Sequence, residues 1–134
     1  MIRQANLADL NTIKLFDPFP GNRRNDIYEN RFFVYLHDHQ VCGYLLIAPG
    51  EFLGWPLVQY LAIDDNFQRK GIGSKLLAYI EEKYSDARVF ISTESNNYNM
   101  QRLLAKRDYV SAGEVSGANS NGKNELFYFK GGMK

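Results

Sequence analysis

Cysteine is almost missing from this chain. Cys42 is the only one in 134 residues, so no internal disulfide can form and nothing demands an oxidising compartment. It lies in the apolar run Val41-Cys42-Gly43-Tyr44-Leu45-Leu46-Ile47 and reads as a buried small hydrophobe rather than a nucleophile. Histidine is equally scarce. His37 and His39 flank Asp38 in a turn-like segment with no third or fourth ligand nearby, so no metal site is expected. Charge of one sign is missing too. Sixteen Lys and Arg stand against 15 Asp and Glu, for a net +1, which offers no broad footprint to nucleic acid or an anionic membrane. No apolar stretch is long enough to span a bilayer, and none follows the opening Met1-Ile2-Arg3-Gln4-Ala5-Asn6. Neither a signal peptide nor a membrane partner is expected, and the expected location is the cytoplasm.

What is present is apolar residues, 45% of the chain, with 14% aromatics. That is enough for a hydrophobic core without staples, and the length fits one domain over residues 1–134. No repeat or low-complexity linker divides it. Ile2 to Ala5 reads as a first strand. A helical stretch starting at Asn6 or Asp9 carries Leu7, Leu10, Ile13 and Leu15, and Asp17-Pro18-Phe19-Pro20-Gly21 breaks it. Arg23 to Asn30 reads as a second short helix. Phe32 to His37 and Gln40 to Ala48 form a hairpin that turns at His37-Asp38-His39-Gln40, and Pro49-Gly50 ends its second strand. Leu57 to Ile63 follows, with Val58, Tyr60 and Ala62 expected on one face and Leu57, Gln59, Leu61 and Ile63 on the other. Apolar residues on both faces suit a central strand covered on both sides. Gly73 to Tyr84 is a helix with Leu76, Leu77 and Ile80 inward, and Arg88 to Thr93 a strand. Tyr98 to Arg107 is a helix with Met100, Leu103 and Leu104 inward. Tyr109 to Val115 and Glu125 to Lys130 are the last strands, around a polar loop from Gly117 to Lys123. The pattern is α/β: a mixed sheet with helices on both faces.

The most informative segment is Gln68-Arg69-Lys70-Gly71-Ile72-Gly73-Ser74, between a strand and a helix. The first turn of a helix has free backbone N–H groups at the positive end of its dipole. Gly71 and Gly73 lack Cβ atoms, so an anion can come close to the backbone. Arg69 and Lys70 add charge and Ser74 a hydroxyl, an ensemble suited to a pyrophosphate. A Walker loop needs Gly-Lys-Ser/Thr, which is absent. The dinucleotide fingerprint needs a third glycine where this chain has Leu76. A bare strand-to-helix turn is the plain alternative.

In its context the segment resembles the GNAT superfamily of acyl-CoA-dependent N-acetyltransferases. Gln68 to Gly73 is similar to that family's Arg/Gln-x-x-Gly-x-Gly/Ala signature. Ile2 to Ala5 with Asp9 and Ile13 resembles its opening, and Asn97 to Tyr109 its later Asn-x-x-Ala-x-x-Leu-Tyr-x-x-x-Gly-Phe segment. The resemblance covers nearly the whole chain. It implies a mostly antiparallel mixed sheet of about six or seven strands, splayed between the strands ending near Ile63 and Thr93 to admit acetyl-CoA. It further implies that Leu61, Ala62 and Ile63 pair with the pantetheine arm, that Arg69 through Ser74 hold the pyrophosphate through main-chain N–H groups with Gln68 among the cofactor-binding residues, and that Asn97 bonds the pantetheine near the thioester. The amide of Leu61 or Ala62 is the implied oxyanion donor, and self-association into a homodimer is plausible by the same likeness.

The resemblance also marks departures. The tyrosine that protonates the leaving thiolate in many members falls at Leu104, and the glycine of the last motif at Asp108. A thiolate leaves with a pKa of about 8.5, so little protonation is needed near neutral pH. For the general base, Glu94 shares a strand face with Ser92, where some peptide-modifying relatives carry a glutamate, and Glu125 opens the last strand. A solvated strand-end carboxylate is the alternative for each. Tyr60 and Tyr128 are further hydroxyls near the cleft. The expected function is N-acetylation of a primary amine: a small molecule, an amino-acid derivative or a protein N-terminus. The alternatives are a non-catalytic acyl-CoA-binding module, which Leu104 favours, and another nucleotide-binding α/β protein, which the flanking motifs oppose.

Overall fold

The computed structural model describes residues 1–132; Met133 and Lys134, the last two residues of the expected 1–134 domain, lie outside the described residues. Seven strands form one sheet in the order β1-β2-β3-β4-β5-β7-β6. They are β1 (Ile2–Gln4), β2 (Phe32–His37), β3 (Gln40–Phe52), β4 (Trp55–Ile63), β5 (Val89–Glu94), β6 (Val110–Val115) and β7 (Glu125–Lys130). Every neighbouring pair is antiparallel except β4 and β5. The helices are α1 (Leu10–Lys14), α2 (Arg23–Tyr28), α3 (Ile72–Lys83) and α4 (Tyr98–Lys106).

The helices cover both faces, as the alternating pattern predicts. On one side Ile72, Leu76, Leu77 and Ile80 of α3 and Leu104 of α4 pack on Phe33, Leu45, Ile47, Val58 and Ile91. On the other, Ile13 of α1 packs on Phe32, Val34, Tyr44, Leu46 and Ala62, with Ile27 of α2 against them. Cys42 is fully buried in the first of these clusters.

Three expectations need correction. The helix expected from residue 6 or 9 is a 3-10 turn, Leu7–Asp9, followed by the short α1. Asn6 caps the turn with its side chain, and its own N–H donates in return to Asp9 Oδ2 at 2.8 Å; of the four expected apolar residues only Leu10 and Ile13 turn inward. Leu15, just past the end of α1, is 83% exposed. Next, Pro49-Gly50 does not end β3. Pairing with β4 slips between Ala48 and Phe52 and then resumes as Phe52↔Trp55. A bulge admits the proline, which has no N–H to give. Leu53 and Gly54, both at positive φ, close the hairpin.

The third correction shapes the site. Leu46 pairs with Tyr60 but Ile47 pairs with Val58, so Gln59 is an extra residue in β4. The bulge resets the alternation: Val58 joins Leu61 and Ile63 on the α3 face, while Tyr60 and Ala62 face α1. Strict period-two reading put Val58 with Tyr60 and Ala62, because sequence does not show the inserted residue.

Candidate functional site

β4 and β5 pair only at Leu57↔Phe90 and Val58↔Ile91. Beyond the bulge they separate. A cleft of about 310 Å³ opens there, lined by Tyr60 and Leu61 of β4, Ser92 to Glu94 of β5, and by Asn97, Met100 and Glu125.

The backbone of β4 is divided between its two sides. Asp64 N–H donates to Cys42 O at 2.9 Å. With Gly43 opposite Ile63, that bond makes Gly43 and Ile63 a non-hydrogen-bonded pair and Tyr44 and Ala62 a bonded one. Ala62 therefore spends its main-chain groups on β3, and those of Leu61 and Ile63 turn towards the gap. The Ile63 carbonyl accepts from Gln68 Nε2 at 3.1 Å. Gln68 thus fastens the loop to the end of β4.

The loop between β4 and α3 winds so as to point donors outward. Arg69 and Gly71 are left-handed, at φ +66° and +74°, and Lys70 between them is not. Such alternation turns successive N–H groups to one side of the chain. The first bond of α3 is Lys75 N–H to Gly71 O at 3.0 Å, and no protein acceptor takes the N–H groups of residues 69 to 74 among the described residues. Arg69, Lys70 and Gly71 are exposed. The two glycines divide the work. A Cβ on Gly71 would meet nothing within 4 Å, whereas one on Gly73 would lie 3.1 Å from Leu103 Cδ2 and 4.0 Å from Leu61 Cδ2. Gly71 is there for its backbone angle; Gly73 lets α4 close against α3. The loop can hold a diphosphate through main-chain donors at a helix start.

Asn97 is the N-cap of α4, its Oδ1 accepting from Met100 N–H at 3.2 Å. Its Nδ2 has no protein acceptor among the described hydrogen bonds, and the residue lines the cleft. Leu104, where the resemblance would put a tyrosine, is 0% exposed and belongs to the core.

The structure brings Glu94 and Glu125 together. They lie directly opposite each other on β5 and β7 and both line the cleft. Glu125 accepts from Ser92 Oγ at 2.7 Å and Asn119 Nδ2 at 3.1 Å, and Glu94 from Asn121 Nδ2 at 3.1 Å. Neither carboxylate has a basic partner among the described ion pairs. Sequence reading missed Asn119 and Asn121, since nothing in a polar loop marks which amide will fold back on a strand. It also missed Phe19, which stacks on Tyr60 with ring centroids 4.4 Å apart and closes the α1 side of the cleft. Arg23 holds that segment down. It bonds Asp17 at 2.8 Å and Asp26 at 3.1 Å, and its guanidinium lies 5.0 Å from the Tyr60 ring centroid.

A donor-rich helix start beside a parting pair of strands defines the class: an α/β protein with a ligand cleft through its sheet. The particular family follows from comparison. The family model described as Acetyltransferase (GNAT) family matches residues 5–109, and the chain belongs to that family of acyltransferases. No curated protein sequence matches significantly. Among solved structures, a GNAT-family acetyltransferase from Bacillus cereus is similar over 100% of this chain and 98% of its own, with 22% identity and a TM-score of 0.83. A ribosomal-protein-alanine N-acetyltransferase from Brucella melitensis is similar over 97% and 98%, with 22% identity and a TM-score of 0.79. An acetyltransferase from Bacillus anthracis, solved with acetyl coenzyme A, is similar over 98% and 96%, with 14% identity and a TM-score of 0.82. At these identities the neighbours bear on the fold. Among the described residues no helix is long and apolar enough to cross a membrane.

Proposed function

We propose that this chain transfers an acetyl group from acetyl-CoA to a primary amine by direct attack in a ternary complex. The observation that carries the reading is the run of free N–H groups from Arg69 to Ser74, set at the end of the one strand, β4, whose partner β5 has moved away. The fit is chemical as well as spatial. A diphosphate needs donors with room around them, which Gly71 supplies, and a pantetheine amide needs strand-like partners, which Leu61 and Ile63 present to the gap. Two solved GNAT neighbours carry the same ligand type, one with acetyl coenzyme A and one, a NatB complex, with CoA.

Bound acetyl-CoA would supply an electrophilic thioester carbonyl. The rest is the work of this chain's residues. The Leu61 N–H, released from β3, is the donor placed to stabilise negative charge on the carbonyl oxygen. Asn97 Nδ2 donates into the cleft and holds the ligand near its reacting end. Glu94 or Glu125, directly or through a water, takes a proton from the incoming ammonium or amine. Leu104 is in the core and takes no part. With no acid in that position the thiolate leaves unprotonated or takes a proton from solvent, which its ordinary pKa of about 8.5 permits. The acceptor would be a small amine, an amino-acid derivative or a protein N-terminus, meeting the cleft beneath Phe19 and Tyr60. The proposed setting is the cytoplasm. Edge strand β6, exposed along its whole length, is the surface proposed for a homodimer, which sedimentation would test.

A non-catalytic acyl-CoA-binding module is the second reading, and buried Leu104 favours it. One experiment separates the two. Acetyl-CoA is mixed with a panel of amines and free thiol is followed. Amine-dependent thiol release supports the transferase; binding without release across the panel supports the module. If acetyl-CoA neither binds nor raises the melting temperature, both readings fail.

A further inference from the structure

We infer that Arg107 is a positioning residue for the phosphate end of the site, acting through the Ser74 hydroxyl; this rests on the acetyl-CoA reading above. Arg107 follows the last residue of α4, and its guanidinium crosses to α3. Nε donates to Glu81 Oε2 at 3.0 Å, Nη2 to Glu81 Oε1 at 2.5 Å, and Nη1 to Ser74 Oγ at 2.9 Å. Glu81 and Ser74 are seven residues apart on α3 and so share a face.

The direction of the last bond decides the chemistry. A guanidinium can only donate, so Ser74 Oγ must accept. A serine hydroxyl carries one proton, and with Arg107 on the oxygen that proton remains for another acceptor. Inside a helix it usually returns to the carbonyl four residues back, here Lys70. No such bond exists among the described hydrogen bonds, and the hydroxyl donates to no protein group. Ser74 stands in the first turn of α3 beside the free N–H groups of Ile72 and Gly73. Arg107 therefore keeps the Ser74 proton available on the turn that would meet a diphosphate.

The guanidinium is itself fixed. Glu81 also accepts from Tyr109 Oη at 2.9 Å and Lys130 Nζ at 3.2 Å. Burial pushes the Glu81 carboxyl upward, but the bonds from Arg107, Tyr109 and Lys130 outweigh it and hold the group below the ordinary glutamate range. Arg107 is thus paired to a permanent anion near neutral pH, and its third arm is left for Ser74. An apolar contact would tie α3 to α4 without desolvating these charges; it could not orient a hydroxyl.

The test compares two donors, acetyl-CoA and acetyl-pantetheine, which lacks the pyrophosphate. Dissociation constants are measured by calorimetry or NMR titration for the unmodified protein and for Ser74→Ala, Arg107→Met and Glu81→Gln/Arg107→Met. The last variant avoids leaving Glu81 charged and unpartnered, and Ser74→Ala removes the hydroxyl alone. The expected result is a rise of about tenfold in the Kd for acetyl-CoA in each, the loss of one hydrogen bond to a charged group. Affinity for acetyl-pantetheine should be unchanged. Adding Ser74→Ala to Glu81→Gln/Arg107→Met should give no further loss, since both act through one proton. Equal losses on the two donors, or additive losses in the combined variant, would overturn the inference while leaving the cofactor reading intact. If the unmodified protein does not bind acetyl-CoA, the cofactor reading falls and the inference with it.

Discussion

Gly71 allows backbone strain and charge to be separated at one position. Its φ of +74° and ψ of +16° place it in the left-handed region at the start of α3, and a Cβ there would touch nothing within 4 Å. Gly71→Ala therefore carries no clash, and its cost is conformational, about 1–2 kcal/mol for an L-residue held left-handed. For a domain of this size that is a fall in melting temperature of roughly 4–7 °C. Asn tolerates the left-handed region, so Gly71→Asn should recover part of the loss. Gly71→Glu should destabilise the free protein about as much as Gly71→Ala, since the side chain runs into open space. Its effect on binding is different. A carboxylate about 4 Å from a phosphate charge costs on the order of 4 kcal/mol at an effective dielectric of 20, so affinity for acetyl-CoA should drop on the order of 10²- to 10³-fold below that of Gly71→Ala. The assay is calorimetric titration of each folded variant at low and high salt. At 1 M salt the Debye length shrinks to about 3 Å, and the gap between the Ala and Glu variants should narrow while the strain component stays. Ala and Glu variants of equal affinity at low salt would refute the placing of an anion at this loop.

Gly73 should respond in the opposite sense. Gly73→Ala gains helix propensity, about 0.5–1 kcal/mol, but presses on Leu103, so its melting temperature should stay near that of the unmodified protein, while Gly73→Glu should lose binding together with the α3–α4 packing; a well-packed Gly73→Glu that binds acetyl-CoA would contradict the contact with α4. For the base, Glu94→Gln should cut the amine-dependent rate more at low pH than at high pH, where free amine needs no deprotonation; an unaltered pH–rate profile would remove Glu94, and the same measurement on Glu125→Gln decides its partner. The Glu81 carboxyl is held low when folded, so the native state binds fewer protons than the unfolded chain. Its contribution is full above the unfolded value of 4.5 and is lost as pH falls through the lower folded value. Glu81→Gln should flatten the acid side of the stability curve without abolishing it, because Asp9, first raised by burial and then held low by Arg3, titrates in the same direction; an unchanged acid slope in urea titrations would disprove the linkage.

Local patterns of the chain were legible where one rule governs one segment. The hairpin of β2 and β3 with its turn at His37-Asp38-His39-Gln40 and the helical spacing of α3 each follow from turn chemistry or side-chain period alone, and the structure adds that Asp38 and His39 are left-handed. The glycine loop was legible as a helix start, yet its two glycines looked equivalent in sequence and differ in space, because only the position of Leu103 tells which missing Cβ makes room for a neighbour. The bulge at Gln59 was not legible. It is an outcome of competition between two registers of the same strand, and it decides that Val58 faces α3 and Tyr60 faces α1.

The same bulge links the fold to the cleft. At Leu57 and Val58, β4 has partners on both sides; past Gln59 it keeps β3 and has no pairing with β5. The twist that an inserted residue adds thus falls at the place where the sheet parts, and the main-chain groups of Leu61 and the N–H of Ile63 are left facing the gap with no strand to take them, while the Ile63 carbonyl is taken by Gln68 Nε2. A buried backbone group without a partner costs free energy, so the gap is a standing demand for an extended, amide-bearing ligand. The pantetheine arm has that chemistry, and the donor-rich turn at Arg69 to Ser74 lies at the end of the same strand. On the proposed reading, phosphate recognition and strand-like pairing are two ends of one site, coupled through four residues of loop that Gln68 ties back to Ile63.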